Sequence, residues 1–184
     1  MSIMYISRNM CDGKKIEKRL SSVIFENLKE LLKAKNAAHE SMFKFHWKKM
    51  WPFSLIWPQV DYLRIIRFMG EVKTQSLDQK TFIHNHLGQA LPDEKTFLDT
   101  VIPYLDALAV SCDKLAEVAR FKQDLLEKVK DRSVFKFKKI LDEYKEAQDS
   151  LVRAGAFVQV SWTELYAQSA KQEPSKNSAA KRST

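Results

Sequence analysis

Between residues 93 and 170, apolar side chains recur at alternating steps of three and four. Leu98, Val101, Leu105, Leu108, Cys112, Leu115, Ala119, Leu126 and Val129 form one run, with Lys122 out of character. Phe137, Ile140, Tyr144, Ala147, Leu151, Ala154, Val158 and Leu165 form a second, interrupted by Ser161. This spacing puts each set on one narrow seam and predicts two long antiparallel helices packed along their length. Asp131-Arg132-Ser133 breaks the pattern between them, with Ser133 placed to cap the second helix. Pro103 falls within the first, where it kinks the helix or marks its first turn.

The same periodicity extends upstream. From Lys14 to about Met50, Ile16, Leu20, Ile24, Leu28, Leu31, Ala34, Ala38, Met42 and Phe45 share one face, and Lys18, Lys29, Lys33 and Lys44 the other. Pro52 and Pro58 end that helix and admit a new start. A further helix from Pro58 turns Tyr62, Ile65, Ile66, Met69 and Val72 inward and Arg64 and Arg67 outward, with Gly70 weakening it locally. Its pattern fades from Thr74 to Lys80, and residues 87–92 read as a loop. The expected fold is all-α: an antiparallel bundle of four to five helices, two or three of them long and coiled-coil-like. Residues 1–13 form a loose lead-in, 14–170 a single helical domain, and 171–184 a disordered basic tail.

Composition agrees with a folded helical chain. Of 184 residues, 45% are hydrophobic and 29% charged, and four Gly and five Pro leave little material for a turn-rich β fold. Cys11 and Cys112 lie far apart, and Cys112 sits on a seam, which predicts a buried free thiol in a reducing compartment. The first residues make a poor signal peptide, and no stretch offers about twenty uninterrupted apolar residues. The expected location is cytoplasmic, at a membrane periphery. Net charge is +8, but it is uneven. Residues 1–60 hold eleven Lys/Arg against five Asp/Glu, residues 171–184 four against one, and residues 61–170 sixteen against seventeen. An anionic partner should therefore meet the N-terminal third or the tail.

Candidate chemistry is sparse. His84 and His86 stand two apart, so they point to different sides of a helix, and no cysteine lies nearby to complete a zinc set. His39-Glu40 and His46 lack metalloprotease spacing, and no Glu stands three residues before a His as in di-iron bundles. No phosphate loop, nucleophile elbow or kinase signature is present. No catalytic residue, metal or cofactor is expected. Residues 43–58 stand out instead, with three of the four tryptophans, three lysines and no acid. Lys44, Lys48 and Lys49, with Arg64 and Arg67, suit anionic lipid at about 1 kcal/mol per basic group. Trp47, Trp51 and Trp57 suit the interfacial layer of a membrane. The competing explanation is that these rings close one end of the bundle. Binding of single-stranded nucleic acid is the weakest of the three, because the rings lie in a proline-punctuated turn.

Residues 112–166 resemble part of the BAR domain of sorting nexins. The resemblance rests on Leu115-Ala116-Glu117-Val118, Phe135, Phe137, Ile140-Leu141-Asp142-Glu143-Tyr144, Val152-Arg153-Ala154 and Trp162, in the family's order and at similar spacing. It implies a homodimer of long kinked helices that associates with curved, anionic membrane and carries no catalytic activity. Two functions are therefore expected in turn. The first is a non-enzymatic scaffold of this BAR-like kind, touching membrane through the eight residues named above. The alternative is a compact bundle acting as a protein-interaction adaptor, its groove lined by Leu105, Leu108, Leu151 and Val158.

Overall fold

The computed structural model describes residues 20–43, 60–127 and 134–180, with side chains as far as residue 167. Its regular structure is helical throughout, with no strand among the described residues: α1 (Leu20–Phe43), α2 (Tyr62–His86), α3 (Pro92–Leu126) and α4 (Val134–Ala180). The helices pack into a bundle around α3, which lies against α2 on one side and α4 on the other. Among the described residues, no helix is long and apolar enough to cross a membrane.

Polar ties between neighbouring helices reveal their directions. Lys73 and Lys80 of α2 meet Asp113 and Asp106 of α3, each at 2.7 Å, so these two helices run antiparallel. Lys114 of α3 reaches Glu143 of α4, while Ser111 donates to Gln148 at 2.9 Å, again in antiparallel order. Helix α1 runs parallel to α3, because Ser21 meets Glu94 near their starts and Phe43 meets Lys122 near their ends. The four directions alternate along the chain.

Each helix begins where its sequence allows. The Asp61 carboxylate accepts from the Arg64 amide at 2.9 Å and caps α2, which therefore starts at Tyr62, later than the proline-based expectation. Pro92 opens α3, with Asp93 and Glu94 in the first turn against its dipole. Glu94 is buried and also accepts from the Ser21 amide at 3.2 Å and hydroxyl at 2.6 Å, tying the start of α1 to that of α3.

The predicted seams are buried: Leu98, Val101, Leu105, Leu108, Cys112, Leu115 and Ala119 on α3, and Ile140, Tyr144, Ala147, Leu151, Val158 and Leu165 on α4. Lys122, the polar residue in the first seam, holds its ammonium 4.6 Å above the Phe43 ring. Ser161 is buried in the second.

Several expectations need correction. Helix α2 does not fade at Thr74 but continues to His86, because its inner face passes through the buried Ser76 to Ile83. Gln79 and Lys80, which hid this continuity, turn to partners on α1 and α3. Pro103 lies well inside α3, with its ring exposed and helix on both sides, so it does not mark a first turn. Leu126 is exposed at the end of its seam. Residues 87–92 contain a turn of 3₁₀ helix, Leu87–Gln89, ahead of Pro92. Val129 and Ser133 lie outside the described residues.

Truncating Leu105, fully buried in α3, should lower stability by about 2–5 kcal/mol in urea melts. Ser76 gives the opposite case, since its buried hydroxyl has no hydrogen-bond partner. Ser76→Ala should leave stability unchanged or raise it by about 1 kcal/mol. A loss at Ser76 comparable to that at Leu105→Ala would contradict this account of α2.

Candidate binding groove

Helix α1 packs closely on α2 and α3, but α4 is reached through long side chains. Toward one end, the Lys35 ammonium donates to Gln148 Oε1, and His39 Nδ1 shares a 2.6 Å hydrogen bond with the Tyr144 hydroxyl. Toward the other, the Phe25 ring stacks on Trp162 with centroids 4.1 Å apart. Between these bridges lies a groove of about 380 Å³. Leu28 and Leu32 of α1 form one wall, Leu151, Val152 and Val158 of α4 the other, and Tyr104 of α3 lies beneath. Gly155 keeps the α4 wall low, because a Cβ there would stand 3.4 Å from the Tyr104 ring.

Lys35 is the exceptional member. It is 0% exposed, on the inner face of α1 within the run Ile24, Leu28, Leu31, Lys35, Ala38 and Met42. Its ammonium has Gln148 Oε1 as acceptor and lies 5.8 Å from the Tyr144 ring centre, with no carboxylate partner among the described residues. Burial holds its pKa down, from 10.5 to about 8. Gln148 is fixed by two donors, since its carbonyl oxygen also accepts from Ser111.

The surrounding titratable groups favour neutral forms. Burial lowers the pKa of His39, and Lys35 nearby adds to the effect. Burial lifts the Cys112 thiol to about 12, with Asp113 adding and Lys35 opposing, so this free buried cysteine is a poor nucleophile. Burial also raises the Tyr104 hydroxyl to about 12 and pushes Tyr144 upward. The groove thus combines apolar walls with one cation that lacks a counter-charge.

The two described residues among the sequence-derived contacts do not line the groove. Lys44, Trp47, Lys48, Lys49, Trp51 and Trp57 lie outside the described residues. Arg64 and Arg67 are exposed on the first turns of α2, beside exposed Leu63 and Phe68. Of the four adaptor residues, Leu151 and Val158 line the groove, whereas Leu105 and Leu108 are wholly buried around α3. His84 is exposed, and His86 Nδ1 bonds to the Phe82 carbonyl at 2.8 Å. No group of three or more His, Cys, Asp or Glu able to hold a metal occurs among the described residues. Lys35 itself was missed, although its place in the three-four spacing of α1 could have identified it.

No family model matches the chain, and no curated protein or solved structure does either.

Linkage fixes how Lys35 should affect stability. Below pH 8 both the folded and unfolded chains carry the proton, and the folded chain bears the full cost of a buried charge. Between pH 8 and 10.5 the folded chain has released the proton and the unfolded chain retains it, so stability rises with pH. Cys112 acts oppositely above pH 9, where the unfolded thiol ionises and the folded one does not. Lys35→Met should therefore be more stable than wild type at pH 7, by on the order of 2–3 kcal/mol. That advantage should shrink from pH 7.5 to 9 in urea melts; a constant difference would contradict the burial of an uncompensated ammonium.

Proposed function

We propose that the chain is a non-enzymatic helical-bundle binding module, an adaptor in the broad sense, with the α1–α4 groove as its binding surface. The observation that carries this proposal is the closure of the core within one chain. The inner faces of α2, α3 and α4 are covered by one another and by α1. This supports a bundle whose predicted seams close within one chain rather than forming an open face for a second copy, while Val152, Phe157, Val160 and Tyr166 stay exposed on α4. A BAR-like dimer with coiled-coil-like seams would draw on such an open face. The groove is the concave, mainly apolar feature with a convergent polar group that binding sites share.

Peripheral membrane contact is a second proposal, favoured by the exposed cluster of Leu63, Arg64, Arg67 and Phe68. Two cations beside two apolar side chains suit an anionic interface.

Size-exclusion chromatography with light scattering, followed by small-angle X-ray scattering, should report a compact monomer near 21 kDa. An elongated dimer would overturn the adaptor proposal and restore the BAR-like one. Arg64→Glu with Arg67→Glu should weaken binding to phosphatidylserine vesicles at least tenfold while leaving the thermal midpoint unchanged. Unaltered vesicle binding would exclude this surface.

A further inference from the structure

We infer that the α1–α4 groove holds a slender aliphatic carboxylate, its headgroup on Lys35 and its chain lying between Leu28, Leu32, Leu151 and Val158. The inference rests on the groove being the binding surface, and it adds the chemical class of the occupant.

Charge supplies the first argument. Lys35 lies at one end of the groove with Asn36 and Gln148, covered at rest and bound to Gln148, whose side chain has to turn aside for an anion to reach the ammonium. Its neighbours offer only amide and hydroxyl oxygens and an aromatic face. A buried ammonium in such company is half of an ion pair: its desolvation is not offset until an anion arrives. The carboxylate belongs to the ligand because the described residues place none beside Lys35.

Shape supplies the second. The lining residues run from Phe25 to Asn36 on α1 and from Gln159 to Gln148 on α4. Eleven helical steps make the groove about 16 Å long. A helix about 10 Å across cannot lie between α1 and α4 where the Phe25–Trp162 stack and the Lys35–Gln148 contact bridge them at the two ends of the groove. An extended peptide would fit more closely, but its amide groups would face leucine and valine without hydrogen-bond partners. A hydrocarbon chain meets neither obstacle. Gly155 lines this path next to the Tyr104 ring.

The groove is mainly apolar, with Lys35, Asn36 and Gln148 at one end and Gln159 and the Glu26-paired Lys29 toward the other. The cation without a counter-charge therefore distinguishes ligands by headgroup as well as by chain. An alcohol of equal length would gain the same apolar burial without the ion pair. A cationic amphiphile would meet Lys35 as a like charge.

Titration calorimetry and native mass spectrometry of the full chain with sodium dodecanoate, kept below micelle formation, test the inference. One equivalent should bind, and Lys35→Met should weaken it at least tenfold while staying folded by circular dichroism. Gly155→Leu, which places a side chain in the groove, should abolish binding. Dodecan-1-ol should bind more weakly than dodecanoate and be indifferent to Lys35→Met, and dodecyltrimethylammonium should not bind. Dodecanoate affinity unchanged by Lys35→Met would overturn the inference, as would no binding to a compact monomer. Capture of an acidic amphipathic peptide in place of dodecanoate would also overturn it, leaving the binding-module proposal intact. An elongated dimer in light scattering would remove that proposal itself, so the two failures are distinguishable.

Discussion

Helix α3 has a single narrow solvent stripe, through Lys95, Asp99, Pro103, Val110, Asp113 and Arg120. Away from that stripe, from Asp93 to Phe121, it is half-buried or buried apart from exposed Thr96, with Phe97, Tyr104, Ala116, Val118 and Phe121 added to the predicted seam. A helix so apolar has to be enclosed by several neighbours, because one amphipathic partner covers only one face. That requirement assigns α2 and α4 to its flanks and leaves α1 to close what remains. The cross-helix ion pairs then act as register marks, since exposed pairs contribute about 0–1 kcal/mol each and apolar burial much more.

The groove follows from the same geometry. Helix α1 sits down on α2 and α3, and so stands away from α4. Large side chains span the gap near each end: His39 and Phe43 against Tyr144, and Phe25 against Trp162. Between them, leucines and valines line space that they do not fill. Lys35 enters because its position on α1 faces the gap, and its aliphatic stem passes through apolar surroundings before the ammonium reaches Gln148.

Most of this architecture was legible from three-four periodicity, because a buried helical face needs only apolar side chains at the right angular positions. The seam of α3 was read correctly from Leu98 to Ala119, though not at Leu126, and that of α4 at Ile140, Tyr144, Ala147, Leu151, Val158 and Leu165. The lower half of α2 was not, since Ser76, Gln79 and Lys80 occupy inward or flanking positions there and periodicity counts polar residues as breaks. The groove was only partly visible. Leu151 and Val158 were singled out as candidate lining, but an apolar stripe shows that a face is covered without showing how closely. Lys35 escaped for the reason Lys122 was noticed only as an anomaly: a lysine on an inner face is assigned to solvent until its neighbours are known. The residues of 44–57 chosen as membrane contacts lie outside the described structure, so their composition remains the ground for that choice.

The linkages of α1 also differ in what they cost to close. Helices α2, α3 and α4 are consecutive antiparallel neighbours whose joins are short, so their contacts close small loops. Helix α1 has to find Glu94 across a separation of 73 residues and Gln148 across 113. Loop-closure entropy makes those two contacts costlier to form than the ones between sequence neighbours, including the Asn27–Gln79 tie of α1 to α2. The groove has no second wall without α1, so any local opening that lifts α1 removes it. Any occupant that binds only the closed arrangement holds α1 in place by mass action, which makes the fourth helix the part of the fold most responsive to ligand.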